Sequence, residues 1–290
     1  MPLIRQSPCK VNLLLNILGK RADGFHELET VMQPVAVCDE LHFDRGGCAI
    51  ELSCSHPSLP LDSTNLVHRA AAVFLQTARC AAGVRIHLEK RIPLAAGLGG
   101  GSGNAARTLL GLNELFGQPL SGGQLQSIAA SLGSDVPFFL QDRPALAIGR
   151  GEQITPLDFF PALRGVFILL IFPGFGISTA WAYQTLGRYP EALGGRPGRA
   201  QKLVSLLQTG GLAAAADSFY NSLEAPALNK YPLLALIQEF LRGHGAAAAL
   251  MSGSGSTTFA LVNDLNAAER LRADFAAKFG ESYWTAVVPL

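Results

Sequence analysis

Apolar residues recur along this chain with two different spacings, and the alternation between them predicts a mixed fold. Residues 3–18 alternate loosely and carry an apolar run from 11 to 18, which predicts a strand. Asn12 and Asn16 interrupt that run. An asparagine is unfavourable inside a buried strand unless its amide is paired, so these two either serve a site or mark a strand with one wet face. Further strands are predicted over 29–37, 40–43, 48–54, 84–89, 145–148, 165–172, 246–250, 259–262 and 283–290. Helical spacing predicts helices over 65–79, with Leu66, Ala70, Val73 and Phe74 on one face, and over 104–116, 178–186, 200–208, 212–223, 231–242 and 264–279. Ser121 and Gln124 have the spacing of a capping box and start another helix, which runs to about Leu132. Residues 57–60 and 189–199 read as loops, and Pro226 as a breaker. The fold class is α/β (α+β).

Composition narrows the function classes. Apolar residues make up 49% of the 290 positions and charged residues 16%, so a packed core is expected and disorder is not. Lys and Arg total 23 against 22 for Asp and Glu, without a basic cluster. That balance argues against nucleic acid or an anionic membrane as a partner. The longest strongly apolar run, residues 166–172, is too short to span a bilayer. The five cysteines (Cys9, Cys38, Cys48, Cys54, Cys80) are odd in number, lack C-x-x-C spacing and fall in the first third. They predict small core residues rather than disulfides or a zinc site, consistent with a cytoplasmic location.

The candidate chemistry centres on Pro93, Leu94, Ala95, Ala96, Gly97, Leu98, Gly99, Gly100, Gly101, Ser102, Gly103 and Asn104. Glycines free the backbone to crowd several N–H groups onto one anion. The helix that follows adds unpaired N–H donors and the positive end of its dipole. A glycine loop running into a helix N-terminus is a phosphate site. It is not a Walker A loop, because G-x-x-x-x-G-K-[ST] is absent. Gly101, Gly103 and Ala106 fit the looser G-x-G-x-x-A pattern of dinucleotide folds. No strand immediately precedes Gly101, and no acid stands at the required offset, which disfavours a nicotinamide-dependent dehydrogenase. Ser102 does not make a nucleophile elbow.

Two other stretches carry candidate groups. Gly133 should stop the preceding helix, and Pro137 should keep Val136 extended. Asp135 would then sit on a stiff turn before an apolar strand. An acid beside Val136, Pro137, Phe138 and Phe139 is either a turn or N-cap aspartate or faces a cleft. Met251, Ser252, Gly253, Ser254, Gly255 and Ser256 form a second small-residue loop between two strands, read either as a simple turn or as a second glycine nest.

These segments together resemble the GHMP kinase superfamily. Its three motifs match Pro8, Cys9, Lys10, Val11 and Asn12, then the loop from Pro93 to Gly103, then the turn from Met251 to Ser256. The likeness spans nearly the whole chain. Within the superfamily it points to the 4-diphosphocytidyl-2-C-methyl-D-erythritol kinase family, whose opening reads Pro-Ala-Lys-x-Asn-Leu and then Arg-x-Asp-Gly-Tyr-His. Here those stretches run from Pro8 to Leu13 and from Arg21 to His26. The triple glycine Gly99, Gly100 and Gly101, and the phrase from Leu132 to Phe138, match as well.

The resemblance implies two lobes, an ATP-binding lobe over 1–155 and a substrate lobe over 156–290, with the active site in the cleft between them. It implies ATP-dependent phosphorylation of the 2-hydroxyl of a methylerythritol unit bearing a CDP group, with ATP and Mg²⁺ as cofactors. Lys10 and Asp135 would be the catalytic pair. The glycine loop would hold the ATP phosphates, with the loop near residues 62–66, Asn65 included, approaching the adenine. Asn12, Phe25, His26, Thr179 and Tyr183 would meet the cytidine end of the substrate. The protein would be a monomer or weak homodimer in the cytoplasm, without nucleic-acid or membrane partners. Three departures stand out: Phe25 replaces a tyrosine, Cys9 an alanine, and Gly103 the second serine of Gly-Gly-Gly-Ser-Ser. If that hydroxyl helps hold Mg²⁺ or caps the helix, Ser102 or Asn104 must replace it, and the metal's protein ligands are left open. Two rival readings remain: a homoserine- or mevalonate-type kinase, opposed by the Asp-Gly-Phe-His turn, and an inactive nucleotide-binding relative, opposed by the presence of Lys10 and Asp135.

Overall fold

Strands β1 (Leu3–Lys20) and β2 (His26–Arg45) are long, continuing past Pro8 in β1 and Pro34 in β2. The computed structural model describes residues 2–290. β1 is buried on both faces from Cys9 to Ile17, Asn12 and Asn16 included, so the wet-face reading of Asn16 is overturned. β2 continues through the gap expected after residue 37. The chain divides into two compact units, each gathered from separate stretches. One takes the residues up to Cys9, Val37–Ile92 and Gly99–Asp142; the other takes Lys10–Ala36, Pro93–Leu98 and Arg143–Leu290.

In the first unit, β3 (Ile50–Cys54) pairs in parallel with β4 (Val84–Glu89), which pairs antiparallel with the stretch of β2 from Glu40 to Arg45. The helices are α1 (Leu66–Thr77), α2 (Gly100–Leu115) and α3 (Gly122–Leu132). Both bonds of the capping box expected at Ser121 and Gln124 are present. Phe43, Ile86 and Leu88 of the strands and Phe74, Leu109 and Leu112 of the helices are buried. Each contributes about 1.5–3 kcal/mol relative to exposure. Two expectations need correction here. Val136 is helical (φ −62°, ψ −43°), and Pro137–Leu140 form a 3₁₀ turn rather than a strand. The Val136 N–H donates to Gly133 O at 3.2 Å and Phe139 N to Val136 O at 3.1 Å, and this turn overrides the pre-proline bias. All five cysteines are free and lie in this unit, but only Cys9 is buried, its thiol pushed up to about 12 chiefly by that burial.

In the second unit, β5 (Ala145–Gly149) pairs antiparallel with Leu28 to Met32 of β2, and β6 (Gln153–Pro156) pairs antiparallel with β5. A separate antiparallel sheet contains β7 (Phe167–Phe172). Short helices follow: α4 (Thr179–Thr185), the single turn α5 (Pro190–Leu193), α6 (Arg199–Thr209) and the single turn α7 (Leu212–Ala215). The helix expected over 212–223 ends early because β8 (Tyr220–Asn221) pairs in parallel with Leu14 and Leu15 of β1. Pro226 does not break structure. It lies in the first turn of α8 (Glu224–Lys230), where its missing N–H is harmless. Next come α9 (Pro232–Gly243), β9 (Ala248–Met251), β10 (Thr258–Val262), α10 (Leu265–Phe279) and β11 (Trp284–Pro289). The separate sheet runs β11-β7-β10-β9. Its residues Leu169, Ile171, Ala260 and Val262 form one core cluster with Ile237 and Leu241 of α9 and Leu271 and Phe275 of α10.

A polar cluster ties α8, α9 and β9 together. Glu224 Oε1 accepts from Gln238 Nε2 at 2.6 Å and from Met251 N at 2.7 Å. Arg242 in turn donates to Gln238 Oε1 at 3.0 Å and to Ala249 O at 2.7 Å. Burial pushes the Glu224 carboxyl above its ordinary value of 4.5.

Two predictions follow from this packing. A Cβ at Gly111 would lie 2.6 Å from the ring of fully buried Phe43. The helix-propensity gain of Gly111→Ala, about 1 kcal/mol, is therefore outweighed by overpacking of about 1–3 kcal/mol. Urea unfolding should show a net loss; a gain would mean the ring can yield. A raised Glu224 pKa means that the native state holds its proton more tightly than the unfolded chain. Its contribution to stability is full below about pH 4.5 and is lost as pH rises through the native value. Glu224→Gln keeps an oxygen for both bonds and removes the titration. Its urea midpoint should fall less than that of wild type between about pH 5 and 8; parallel curves would contradict this.

Candidate active site

The glycine loop is shaped by backbone contacts that side chains would obstruct. Ala95, Gly97 and Gly99 all take left-handed angles, with φ of 52°, 78° and 69°. A Cβ on Gly97 would sit 2.2 Å from Ser252 O. The Ser252 hydroxyl donates to Gly97 O at 3.0 Å, and Thr257 N donates to Ala96 O at 3.1 Å. The small-residue turn from Met251 to Ser256 is thus packed against the loop rather than being a simple connection between strands. Lys10 N donates to Leu98 O at 3.0 Å and holds the loop on β1. Pro93 and Leu94 are half-buried and Ala95 is exposed.

Helix α2 begins at Gly100, four residues earlier than the spacing predicts, with Gly99 as its N-cap. Its first i→i−4 bond is Gly103 N to Gly99 O at 2.8 Å. The N–H groups of Gly100, Gly101 and Ser102 precede it and have no acceptor within the helix. This is the donor set an anion needs. Beneath them lies a buried polar cluster. Asp39 Oδ1 accepts from Arg91 N at 2.7 Å and Ile92 N at 2.8 Å. Asp39 Oδ2 accepts from Asn104 Nδ2 at 2.9 Å and pairs with Lys90. The position a Cβ would take on Gly100 is 3.1 Å from Lys90 Nζ.

Gly103 is explained by the same cluster. A Cβ there would approach Pro8 O and Ser7 Oγ to 3.0 Å. Asn104 donates to Ser7 Oγ at 3.0 Å as well as to Asp39, so its side chain faces inward. Of the two side chains that could replace the missing serine hydroxyl, Asn104 is committed to the helix anchor and half-buried Ser102 remains. Asn65 is likewise engaged. Its Oδ1 caps α1 by accepting from Val67 N at 2.9 Å, and its Nδ2 donates to Pro60 O at 2.7 Å. The neighbouring Leu66 does approach the loop, 3.6 Å from the Cβ position of Gly101.

In the second unit, β1 presents Lys10 and Asn12 on one face. Lys10 Nζ donates to Asn12 Oδ1 at 2.5 Å, and Asn12 Nδ2 donates to Thr30 Oγ1 at 2.8 Å. The Cβ position of Gly253 lies 3.3 Å from Lys10 Nζ and 3.4 Å from Asn12 Oδ1. Asn221 fixes that turn by donating to Met251 O at 2.7 Å and Gly253 O at 2.8 Å. Neither Thr30 nor Asn221 is marked by any motif. Asn16 lies on the same strand, but its amide goes to Glu29 at 2.8 Å and to Arg196 O at 2.9 Å. Glu29 also accepts from Gly198 N and Ala200 N at the start of α6.

The other expected substrate residues fall into two groups. The rings of His26 and Tyr183 are 5.1 Å apart, and Thr179 Oγ1 is 2.9 Å from Ser254 Oγ. Phe25 is exposed on its turn, with the Arg150 guanidinium 4.6 Å over its ring. Sequence reasoning missed Arg150, which sits on a turn far along the chain. Burial first, then the charge of Lys20, holds His26 below its ordinary value of 6.5, so its imidazole is neutral at pH 7. Asp135 is half-buried in the turn between α3 and the 3₁₀ segment. Among the described residues no group of three or more His, Cys, Asp or Glu could hold a metal, and no helix is long and apolar enough to cross a membrane.

Comparison with known proteins agrees with this geometry. A profile of the GHMP kinases N terminal domain matches residues 65–143, and one of the GHMP kinases C terminal matches 203–281. The chain is 42% identical over 282 residues to a 4-diphosphocytidyl-2-C-methyl-D-erythritol kinase of Synechococcus sp. (strain JA-3-3Ab), covering 95% of this chain and 90% of that protein. It is similar to the crystal structure of a 4-(cytidine 5'-diphospho)-2C-methyl-D-erythritol kinase, with a TM-score of 0.79, 35% identity, and coverage of 99% of this chain and 100% of the other. A homoserine kinase from Cytophaga hutchinsonii shares the fold at a TM-score of 0.69 and 19% identity, over 97% of this chain and 94% of its own. The chain belongs to the GHMP kinase family and, within it, to the 4-diphosphocytidyl-2-C-methyl-D-erythritol kinases.

Proposed function

We propose that this chain transfers the γ-phosphoryl group of ATP to the 2-hydroxyl of 4-diphosphocytidyl-2-C-methyl-D-erythritol, a step in making isoprenoid precursors without mevalonate. The observation that carries the reading is the row of N–H groups at Gly100, Gly101 and Ser102, which precede the first i→i−4 bond of α2, in a chain whose likeness to these kinases is nearly full-length. Those donors meet the phosphates, and Leu66 lies near the adenine.

An alcohol is a weak nucleophile at neutral pH, so its proton must leave as its oxygen bonds to phosphorus. Asp135 accepts that proton. The bond from the γ-phosphorus to the bridging oxygen breaks, and ADP leaves with the electron pair. Positioned proton transfer of this kind contributes about 10²–10⁴-fold. Lys10, held by Asn12, offsets negative charge on the transferring group. Asn12, Phe25, His26, Thr179 and Tyr183 hold the CDP end, with neutral His26 able to donate and accept.

The side chains fit a Mg²⁺ ion held mainly by phosphates and water, since no cluster of protein ligands is present among the described residues. Ser102 and Asp135 are the donors the chain would offer it. When bound there, Mg²⁺ would supply neutralisation of phosphate charge. A cytoplasmic setting, where ATP is abundant, belongs to the same proposal.

A panel with labelled ATP tests the assignment. Phosphate should pass to 4-diphosphocytidyl-methylerythritol and not to homoserine or mevalonate. Asp135→Asn should lower kcat by about 100-fold or more while leaving ATP affinity intact. Near-normal turnover in that variant would remove Asp135 from the chemistry, and transfer to homoserine or mevalonate instead would overturn the substrate.

A further inference from the structure

Helix α4 has two working faces. Thr179 and Tyr183, one turn apart, point toward Ser254 and His26. At 3.6 residues per turn, Trp181 and Gln184 lie roughly on the opposite side, and Arg188 follows in the 3₁₀ turn Leu186–Arg188. That side opens on a pocket of about 500 Å³ which also involves Tyr189 and, from α8, Pro226, Asn229 and Lys230.

The chemistry of the lining is one-sided. It contains two cations, Arg188 and Lys230, and no carboxylate. Among the described residues neither cation has an acidic partner. The ammonium of Lys230 is parked 4.1 Å over the Trp181 ring, which holds it at the pocket wall without neutralising it. Asn229 Nδ2 donates to Tyr189 Oη at 2.6 Å, which leaves the phenol proton to donate elsewhere. Beside these donors, Trp181 and Pro226 supply apolar surface. Two unpaired cations, a free hydroxyl donor and an indole wall match an anion attached to an apolar body.

We propose that this pocket is a second ligand site, taking a small organic molecule that carries a phosphate or diphosphate. The anion sits on Arg188, Lys230 and the Tyr189 hydroxyl, and the organic part lies along Trp181 and Pro226. An occupant would touch the helix that carries Thr179 and Tyr183 on its other side; any effect on the CDP-bearing substrate runs through α4 and rests on the function proposed above. The binding itself does not depend on that function.

The chain has two tryptophans, and Trp284 lies on β11, so Trp181 can report locally. The experiment is a fluorescence titration with phenyl phosphate, inorganic phosphate and phenol, repeated with saturating ATP. Phenyl phosphate should give a saturable change that ATP does not displace, inorganic phosphate should bind more weakly, and phenol should give none. The signal should persist in Trp284→Phe and vanish in Trp181→Phe. Arg188→Ala combined with Lys230→Ala changes only exposed side chains. It should weaken binding at least about tenfold, as expected for losing charge-assisted hydrogen bonds, with basal kinase activity unchanged. Equal affinity in the double variant, displacement by ATP, equal binding of phenol, or no saturable response at millimolar phenyl phosphate would each overturn the proposal.

Discussion

Two backbone turns meet at Gly97, and the glycine loop proposed to hold phosphate depends on how closely they meet. The turn from Met251 to Ser256 gives Gly97 O a hydroxyl donor from Ser252, and Thr257 N bonds Ala96 O. The contact leaves no room for a Cβ: one placed on Gly97 would fall well inside the van der Waals distance of Ser252 O. The same angle, φ of 78°, is one that other residues adopt only at a cost of about 1–3 kcal/mol. Two separate constraints, space and backbone angle, therefore select glycine at this position. They also link two motifs some 150 residues apart, as the Ser252–Gly97 separation of 155 positions records.

Buried polar groups hold each part of this apparatus from behind. In the first unit, Asp39 gathers two backbone N–H groups, Lys90 and Asn104, and so anchors the start of α2. A buried carboxylate stripped of such partners costs about 3–5 kcal/mol, so the cluster can exist only when complete. In the second unit, Asn221 and Glu224 grip the turn at Met251 and Gly253. These residues need not touch substrate. They fix where the backbone donors and Lys10 point, and in phosphoryl transfer most of the acceleration comes from alignment and charge placement.

What could be read from the sequence was mostly local. The Ser121 capping box and the helix at 264–279 are each set within a few residues and stand where expected. The family likeness read from the motifs is borne out, and the similarity to known kinases bears out the activity. Contacts over long sequence separations were not legible. The inward turn of Asn104 depends on Ser7 and Asp39, the placement of Arg150 over Phe25 on strand pairing, and the burial of Asn16 on a loop 180 positions away. β8 is only a two-residue pairing with β1, so no periodicity could announce it. Val136 shows the opposite failure. A sound local rule for residues before proline gave way to one turn of hydrogen bonds.

The close approach at Gly97 can be measured directly through nucleotide affinity. Gly97→Ala adds one methyl group where Ser252 O already stands, and leaves Lys10, Asp135 and the residues proposed to hold the CDP end untouched. Equilibrium binding of a non-hydrolysable ATP analogue, together with a far-ultraviolet spectrum to confirm folding, would decide the matter. The account predicts a folded protein whose ATP affinity drops at least about tenfold, equivalent to roughly 1.4 kcal/mol. A folded variant that binds the analogue as tightly as wild type would show that the packed turns are not what shapes the phosphate site.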